Sequence, residues 1–196
     1  LLSLPYGAAN TRYRLAVNAN STGLLYQRGG VISAVTNDTA GSYLFEIGGG
    51  RDNSVAVWYA DGGVARIVMD VRLLSGASSE SSAVSYNELT VDGAGVVETP
   101  GNRVYLRAPS LTYGVGVSAL NLVRGGTLRT VNVLRGNASG GTGTSYLNAD
   151  GGVLEAINPS EHTTFLSTVP QIRLYEGGLN LRLTGEGGVR ITGELR

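Results

Sequence analysis

Few residues in this chain of 196 are of the types that do chemistry, and their spacing limits what they could do. The single histidine, His162, lies in Asn158-Pro159-Ser160-Glu161-His162-Thr163-Thr164, a turn-like stretch. A lone histidine with no cysteine and no second histidine makes a poor metal site. Ser-His-Asp catalysis would need this same residue, and no Gly-x-Ser-x-Gly elbow is present. His162 therefore reads as a solvent-facing loop residue. The absence of cysteine excludes disulfides, thiolate chemistry and cysteine-ligated zinc. All fifteen basic residues are arginine, so no Gly-Lys-Ser/Thr phosphate loop exists either.

The carboxylates and aromatic residues carry more pattern. Asp61, Asp92 and Asp150 recur just before glycine pairs. Stacked on one another they would form an acidic column able to hold a cation or a sugar. The preferred reading is the ordinary one, an aspartate accepting backbone N–H bonds at a turn. Paired carboxylates can cleave polysaccharides, but the acids here are scattered at one or two per structural repeat. Tyr26, Tyr59, Tyr146 and Tyr175 occupy equivalent places near the glycine pairs, with Trp58 beside them. A sugar-stacking strip and a structural aromatic ladder inside the fold both explain that placement, and the ladder is preferred. Gly48-Gly49-Gly50-Arg51-Asp52 and Tyr59-Ala60-Asp61-Gly62-Gly63 faintly echo a calcium-binding nonapeptide, but its nine-residue period is missing. No catalytic, cofactor-binding or metal-ligating residue is assigned, no cofactor is expected, and the chain is read as a non-enzyme.

The elements that would position these residues are set by a repeat. Gly29-Gly30-Val31, Gly62-Gly63-Val64, Gly125-Gly126-Thr127, Gly151-Gly152-Val153, Gly177-Gly178-Leu179 and Gly187-Gly188-Val189 share one pattern, and Gly93-Ala94-Gly95-Val96 is a broken copy. Counted from the second glycine, the spacings are 33, 32, 31, 26, 26 and 10 residues. A period of this length marks a solenoid, propeller or array. One strand-like run precedes each pair, as in Val55–Tyr59 and Thr144–Leu147. A second follows it, as in Val64–Ile67 and Thr127–Thr130, and in the first four units a third comes next, as in Val71–Leu74 and Val131–Leu134. Helix signals are almost absent.

Three strands and a polar loop in about 30 residues describe one coil of a β-helix, whose inward side chains are buried only by the coils above and below. The fold expected is all-β, a right-handed parallel β-helix of about five to six coils over residues 23–196. Residues 1–22 are expected to be an N-terminal cap or a strand donated to a neighbour. A sandwich or jelly roll of short antiparallel strands is the alternative. Glycine at each corner is expected to supply positive φ, at Gly63 and Gly126 among others. The inward set is taken as Leu24, Tyr26, Val57, Leu73, Val104, Leu106, Leu120, Leu122, Val131, Val133, Leu147, Leu154, Leu174 and Leu181. A slip of one residue in any strand reverses its faces.

The stretch from Ala119-Leu120-Asn121-Leu122-Val123-Arg124-Gly125-Gly126-Thr127-Leu128-Arg129-Thr130 through Gly140-Gly141-Thr142-Gly143-Thr144 to Gly151-Gly152-Val153-Leu154-Glu155-Ala156 resembles the autotransporter-associated β-strand repeats of large exported bacterial proteins. Phe165-Leu166 and Tyr175-Glu176-Gly177-Gly178-Leu179-Asn180-Leu181 resemble the segment that commonly follows. The likeness covers roughly residues 23–196. It implies a right-handed β-helix at the bacterial cell surface or outside the cell, serving as a passenger, adhesin or fibre. The chain shows no translocator barrel or sorting tail and reads as a processed or truncated piece.

Fifteen acids balance fifteen arginines, giving zero net charge and no long-range field. Nucleic acid and anionic membranes are therefore not indicated as partners, and no apolar run of membrane-spanning length occurs. Charged residues are only 15% of the chain, so colloidal repulsion is weak. The expected function is that of an extracellular structural protein, a self-associating fibre subunit or adhesin rod whose partners are copies of itself. The alternative is a β-helix that binds or cleaves carbohydrate, with surface glycans as partners.

Overall fold

Short runs of β-branched and aromatic residues between glycines favour strand over helix. In the computed structural model the described residues form one 17-stranded sheet. The structure describes residues 2–3, 12–16, 18, 20–34, 44–48, 53–73, 84–107, 115–135, 143–157, 163–184 and 189–195, and no helix occurs among them. His162, the loops 49–52 and 136–142, and the glycine pair 187–188 lie outside the described residues.

The strands follow the repeat. Two short ones, β1 (Leu2–Ser3) and β2 (Arg12–Leu15), precede a turn made of β3 (Thr22–Gln27), β4 (Val31–Ala34) and β5 (Leu44–Ile47). The next turn is β6 (Ser54–Ala60), β7 (Val64–Ile67) and β8 (Asp70–Leu73). After it, β9 (Val84–Asp92) leads into β10 (Val96–Tyr105), whose register breaks between Thr99 and Arg103 so that one strand serves two faces. In the following turn β11 (Val115–Val123) stays on the first face and β12 (Thr127–Leu134) again serves two, pairing with one later strand through Thr127–Thr130 and with another through Val133–Leu134. Then come β13 (Thr144–Asp150), β14 (Gly152–Ile157) and β15 (Thr163–Leu174), and finally β16 (Leu179–Thr184) and β17 (Val189–Leu195). The first half of β15 closes one turn and its second half opens the next.

Every ladder between these strands is parallel and joins a strand to its counterpart one turn away. The first face stacks β3, β6, β9, β11, β13 and the end of β15. The second stacks β1, β4, β7, β10, β12, β14 and β16. The third stacks β2, β5, β8, β10, β12, β15 and β17. The fold is thus the expected parallel β-solenoid. Among the described strands, only the turns beginning at β6, β9, β11 and β13 are flanked on both sides on every face. The solenoid has about four full turns, slightly fewer than the five to six expected. At the N-terminal end, β1 and β2 pair with β4 and β5 of the same chain.

The core is a stack of inward rows, one or two per face. On the first face Trp58, Leu89, Leu120, Leu147 and Ile172 lie directly over one another, all fully buried. On the second, Ile32, Ala65, Val97, Leu128 and Leu154 form such a row, and on the third Phe45, Val71, Val104, Val133 and Leu166 do. In the second row the small Ala65 stands between the larger Ile32 and Val97.

Eight of the fourteen residues expected inside are buried: Leu73, Val104, Leu106, Leu120, Leu122, Val133, Leu147 and Leu154. Leu24, Tyr26 and Val57 point outward instead, because β3 and β6 are slipped by one residue from the expected face and place Leu25 and Trp58 inside. Val131 sits at the bend of β12 and is only half-buried. Leu174 and Leu181 do continue inward rows, opposite Ala149 and Leu154, yet remain 43% and 40% exposed. Their turn is the last on the second face, since β16 pairs only with β14 among the described strands.

The glycine corners stitch turn to turn. The carbonyl of each pair's second glycine accepts the N–H of the residue that follows the next pair: Val64 to Gly30 (3.0 Å), Val96 to Gly63 (3.0 Å), Thr127 to Gly95 (2.9 Å) and Val153 to Gly126 (2.9 Å). Gly63 has the expected positive φ, +77°. Gly126 does not. At that corner the left-handed residues are Arg124 and Gly125, and Gly126 is required for space, because a Cβ there would lie 2.2 Å from the carbonyl oxygen of Val91. Outside the second face, Arg66, Glu98, Arg129 and Glu155 form a column of alternating charge, with ion pairs of 3.2, 3.7 and 3.2 Å. These exposed pairs contribute little energy each, but they oppose any pairing that would set like charges together.

Candidate functional site

A strand of the first face turns alternate side chains outward, and stacking converts each outward position into a column along the solenoid. One column reads Tyr26, Tyr59, Thr90, Asn121, Asn148 and Arg173. Asn121 Nδ2 donates to Thr90 Oγ1 at 2.9 Å, and Asn148 Nδ2 donates to Asn121 Oδ1 at 2.8 Å. Thr90 in turn donates to Glu88 Oε1 at 2.5 Å. This amide ladder forms the floor of a groove of about 420 Å³. Tyr59 stands at one end and Tyr175 at the other, with Glu88 and Asp150 on the walls and Val123 between them. Four turns separate the two tyrosines, about 19 Å at the strand spacing of parallel stacking.

The aromatic residues lie on the outside, contrary to the preferred expectation of a ladder inside the coil. Tyr26 is half-exposed and packs on Tyr59 with ring centroids 5.5 Å apart. Tyr175 is more than half exposed. Tyr146, on the neighbouring column, is covered by the guanidinium of Arg173 at 3.9 Å from its centroid, a cation–π arrangement. Arg173 is fixed there by two hydrogen bonds to Gln171 Oε1, at 3.2 and 2.7 Å. Trp58 alone of the group is inside, against Phe45. For Tyr26 and Tyr59 the cause is again the face of β3 and β6: Leu25 and Trp58 turn inward, so the tyrosine after each turns outward.

The three aspartates bridge turns more than they cap their own. Asp61 accepts the Tyr26 hydroxyl at 3.4 Å, and Asp150 Oδ1 accepts the Gly177 N–H at 2.8 Å. Asp92, almost fully buried, takes Arg124 Nε at 2.8 Å, the other guanidinium nitrogen of Arg124, and the Tyr59 hydroxyl. Because Arg124 is seated between Asp92 and Asp150, the acids do not make a continuous negative column. Among the described residues no group of three or more His, Cys, Asp or Glu is placed to hold a metal ion.

The electrostatics follow from these partners. The Arg124 hydrogen bond, helped by the Tyr59 hydroxyl and by backbone at Gly93, holds the Asp92 carboxyl below the usual carboxylate range against the opposing effect of burial. The hydrogen bond to Asp92, then burial, raises the Tyr59 phenol. Burial and the adjacent Glu88 carboxylate push Tyr86 up to about 12. A carboxylate depressed in the folded state stabilises the fold above its unfolded pKa, and that contribution is lost as pH falls through the folded value. Asp92→Asn should therefore cost roughly 1–2 kcal/mol at neutral pH. In urea titrations at a series of pH values the gap from wild type should close as pH drops below about 4. A gap unchanged down to pH 2 would show that the carboxylate's charge contributes nothing.

No protein-family model, curated protein or solved structure matches the chain.

Proposed function

We propose that the chain is a non-catalytic structural solenoid, part of a bacterial extracellular rod or fibre that stacks on copies of itself. What carries this reading is the edge at β16. Leu181 and Leu183 continue the inward rows of Leu154 and Ala156 but stay 40% and 46% exposed, beside backbone paired on one side only among the described strands. Such an edge accepts one more parallel turn of the same kind. Supplied by a second copy, that turn extends the stack, and a contact between unlike ends propagates into a filament. Zero net charge and sparse charge support the reading by leaving little repulsion between copies.

Sedimentation velocity tests it. The 20.3 kDa chain should form heavier species as concentration rises, and 1 M salt should not disperse them, since backbone and apolar contacts are not screened. The double substitution Leu181→Arg, Leu183→Arg should return monomers with an unchanged circular dichroism spectrum, because both side chains are already solvent-exposed. A wild-type chain that stays monomeric at high concentration would overturn the proposal.

A further inference from the structure

We infer that the groove on the first face binds an uncharged linear polysaccharide. This inference does not depend on self-association, because the groove spans the central turns and none of its lining residues comes from β16. Three properties select the ligand class. The groove is elongated along the axis, with Tyr59 at one end and the exposed Tyr175 at the other. Sugar rings whose substituents are equatorial offer apolar faces that stack on tyrosine, and they leave their hydroxyls at the edges. Between the tyrosines, the floor offers the half-buried amides of Asn121 and Asn148, which both donate and accept hydrogen bonds as a row of hydroxyls does, with the buried Thr90 hydroxyl anchoring the ladder beneath.

Charge then narrows the choice. The walls carry Glu88 and Asp150, and among the described residues no arginine lines the groove. Arg124 is committed to Asp92, and Arg173 to Gln171 and the Tyr146 ring. An acidic polysaccharide or a nucleic acid would bring its charges against two carboxylates with no cation to offset them, whereas neutral hydroxyls can donate to both. The volume, about 420 Å³, lies within the range of small-molecule clefts and suits a few sugar residues of a longer chain lying through it.

The probe is cellohexaose, a neutral hexasaccharide with all-equatorial linkages, titrated into the full chain by isothermal calorimetry, with hexagalacturonate as the acidic comparison. Saturable binding of cellohexaose is expected, with hexagalacturonate at least tenfold weaker. Tyr175→Ala should weaken cellohexaose binding at least tenfold while leaving the thermal unfolding midpoint in place, because that ring is exposed and buries little. Asn121→Ala should weaken binding too, and its unfolding curve separates loss of contact from loss of fold. Absence of saturable cellohexaose binding at millimolar concentration overturns the inference. So does binding that Tyr175→Ala leaves unchanged, or tighter binding of the acidic hexasaccharide. The self-association reading is judged by sedimentation alone, so the two can fail separately.

Discussion

Replacing Gly126 by alanine, a change of one methyl group, should cost more than about 3 kcal/mol, an effect usually reserved for large core truncations. The added Cβ would lie 2.2 Å from Val91 O, 2.3 Å from Val91 C and 2.5 Å from Asp92 N, all backbone of the turn below. That backbone is locked by the ladder between β9 and β11 and cannot give way without breaking it. Gly63→Ala should be as severe, since it adds left-handed strain at φ +77° to a contact of 2.3 Å with Gly30 O. The comparison that isolates the cause is Gly30→Ala. Gly30 has the same kind of φ, +72°, but nothing lies within 4 Å of its added methyl, so only about 1–2 kcal/mol of strain is expected. Urea unfolding midpoints of the three variants decide it. Equal losses at Gly30 and Gly126 would mean that conformation alone, not the closeness of the turns, explains the corner glycines.

The second large effect is at the one tryptophan. Trp58→Ala should destabilise by about 3–5 kcal/mol, because it empties a fully buried site next to Phe45 and deprives the leucine row beneath it of a neighbour. Trp58→Phe should cost much less than the lost volume suggests. The indole Nε1–H is buried with no hydrogen-bond partner among the described residues, and phenylalanine removes that unsatisfied donor along with the extra ring atoms. Thermal unfolding of both variants tests this. A Phe variant as damaged as the Ala variant would show that ring volume alone matters.

The fold was legible because its stacking imposes a period on the sequence. Each corner glycine pair meets the one before it, so the spacing of the pairs is the length of a turn, and the three strands of a turn appear in the order read from the chain. What was not legible is parity. In Val55-Ala56-Val57-Trp58-Tyr59 both alternate sets are apolar, and in Leu24-Leu25-Tyr26-Gln27 the inward set contains the buried Gln27, so hydrophobicity does not say which set faces in. The largest side chain, Trp58, settled the matter toward the interior and carried the tyrosines to the surface. That same reversal hid the groove, since its tyrosines read as core. A usable signal was present in the polar partners: Thr90, Asn121 and Asn148 fall at the same step of successive repeats, which a purely structural ladder of aromatic residues would not need. The reverse charges at Arg66, Glu98, Arg129 and Glu155 were readable in the same way. The role of Gly126 was not, because steric contact with another turn leaves no mark on local sequence.

Parallel stacking also decides how the molecule bears load. β1 and β17 lie at opposite ends of the stack, so tension applied through the chain's ends pulls along the axis, the same direction in which the hydrogen bonds between turns run. Bonds arranged so are peeled one after another rather than sheared together. Each turn that detaches releases a spacing of 31 residues or so, about 100 Å of extended chain. Because each turn is held only by its neighbours, a stack of this kind is expected to lengthen under axial load one unrolled turn at a time rather than all at once.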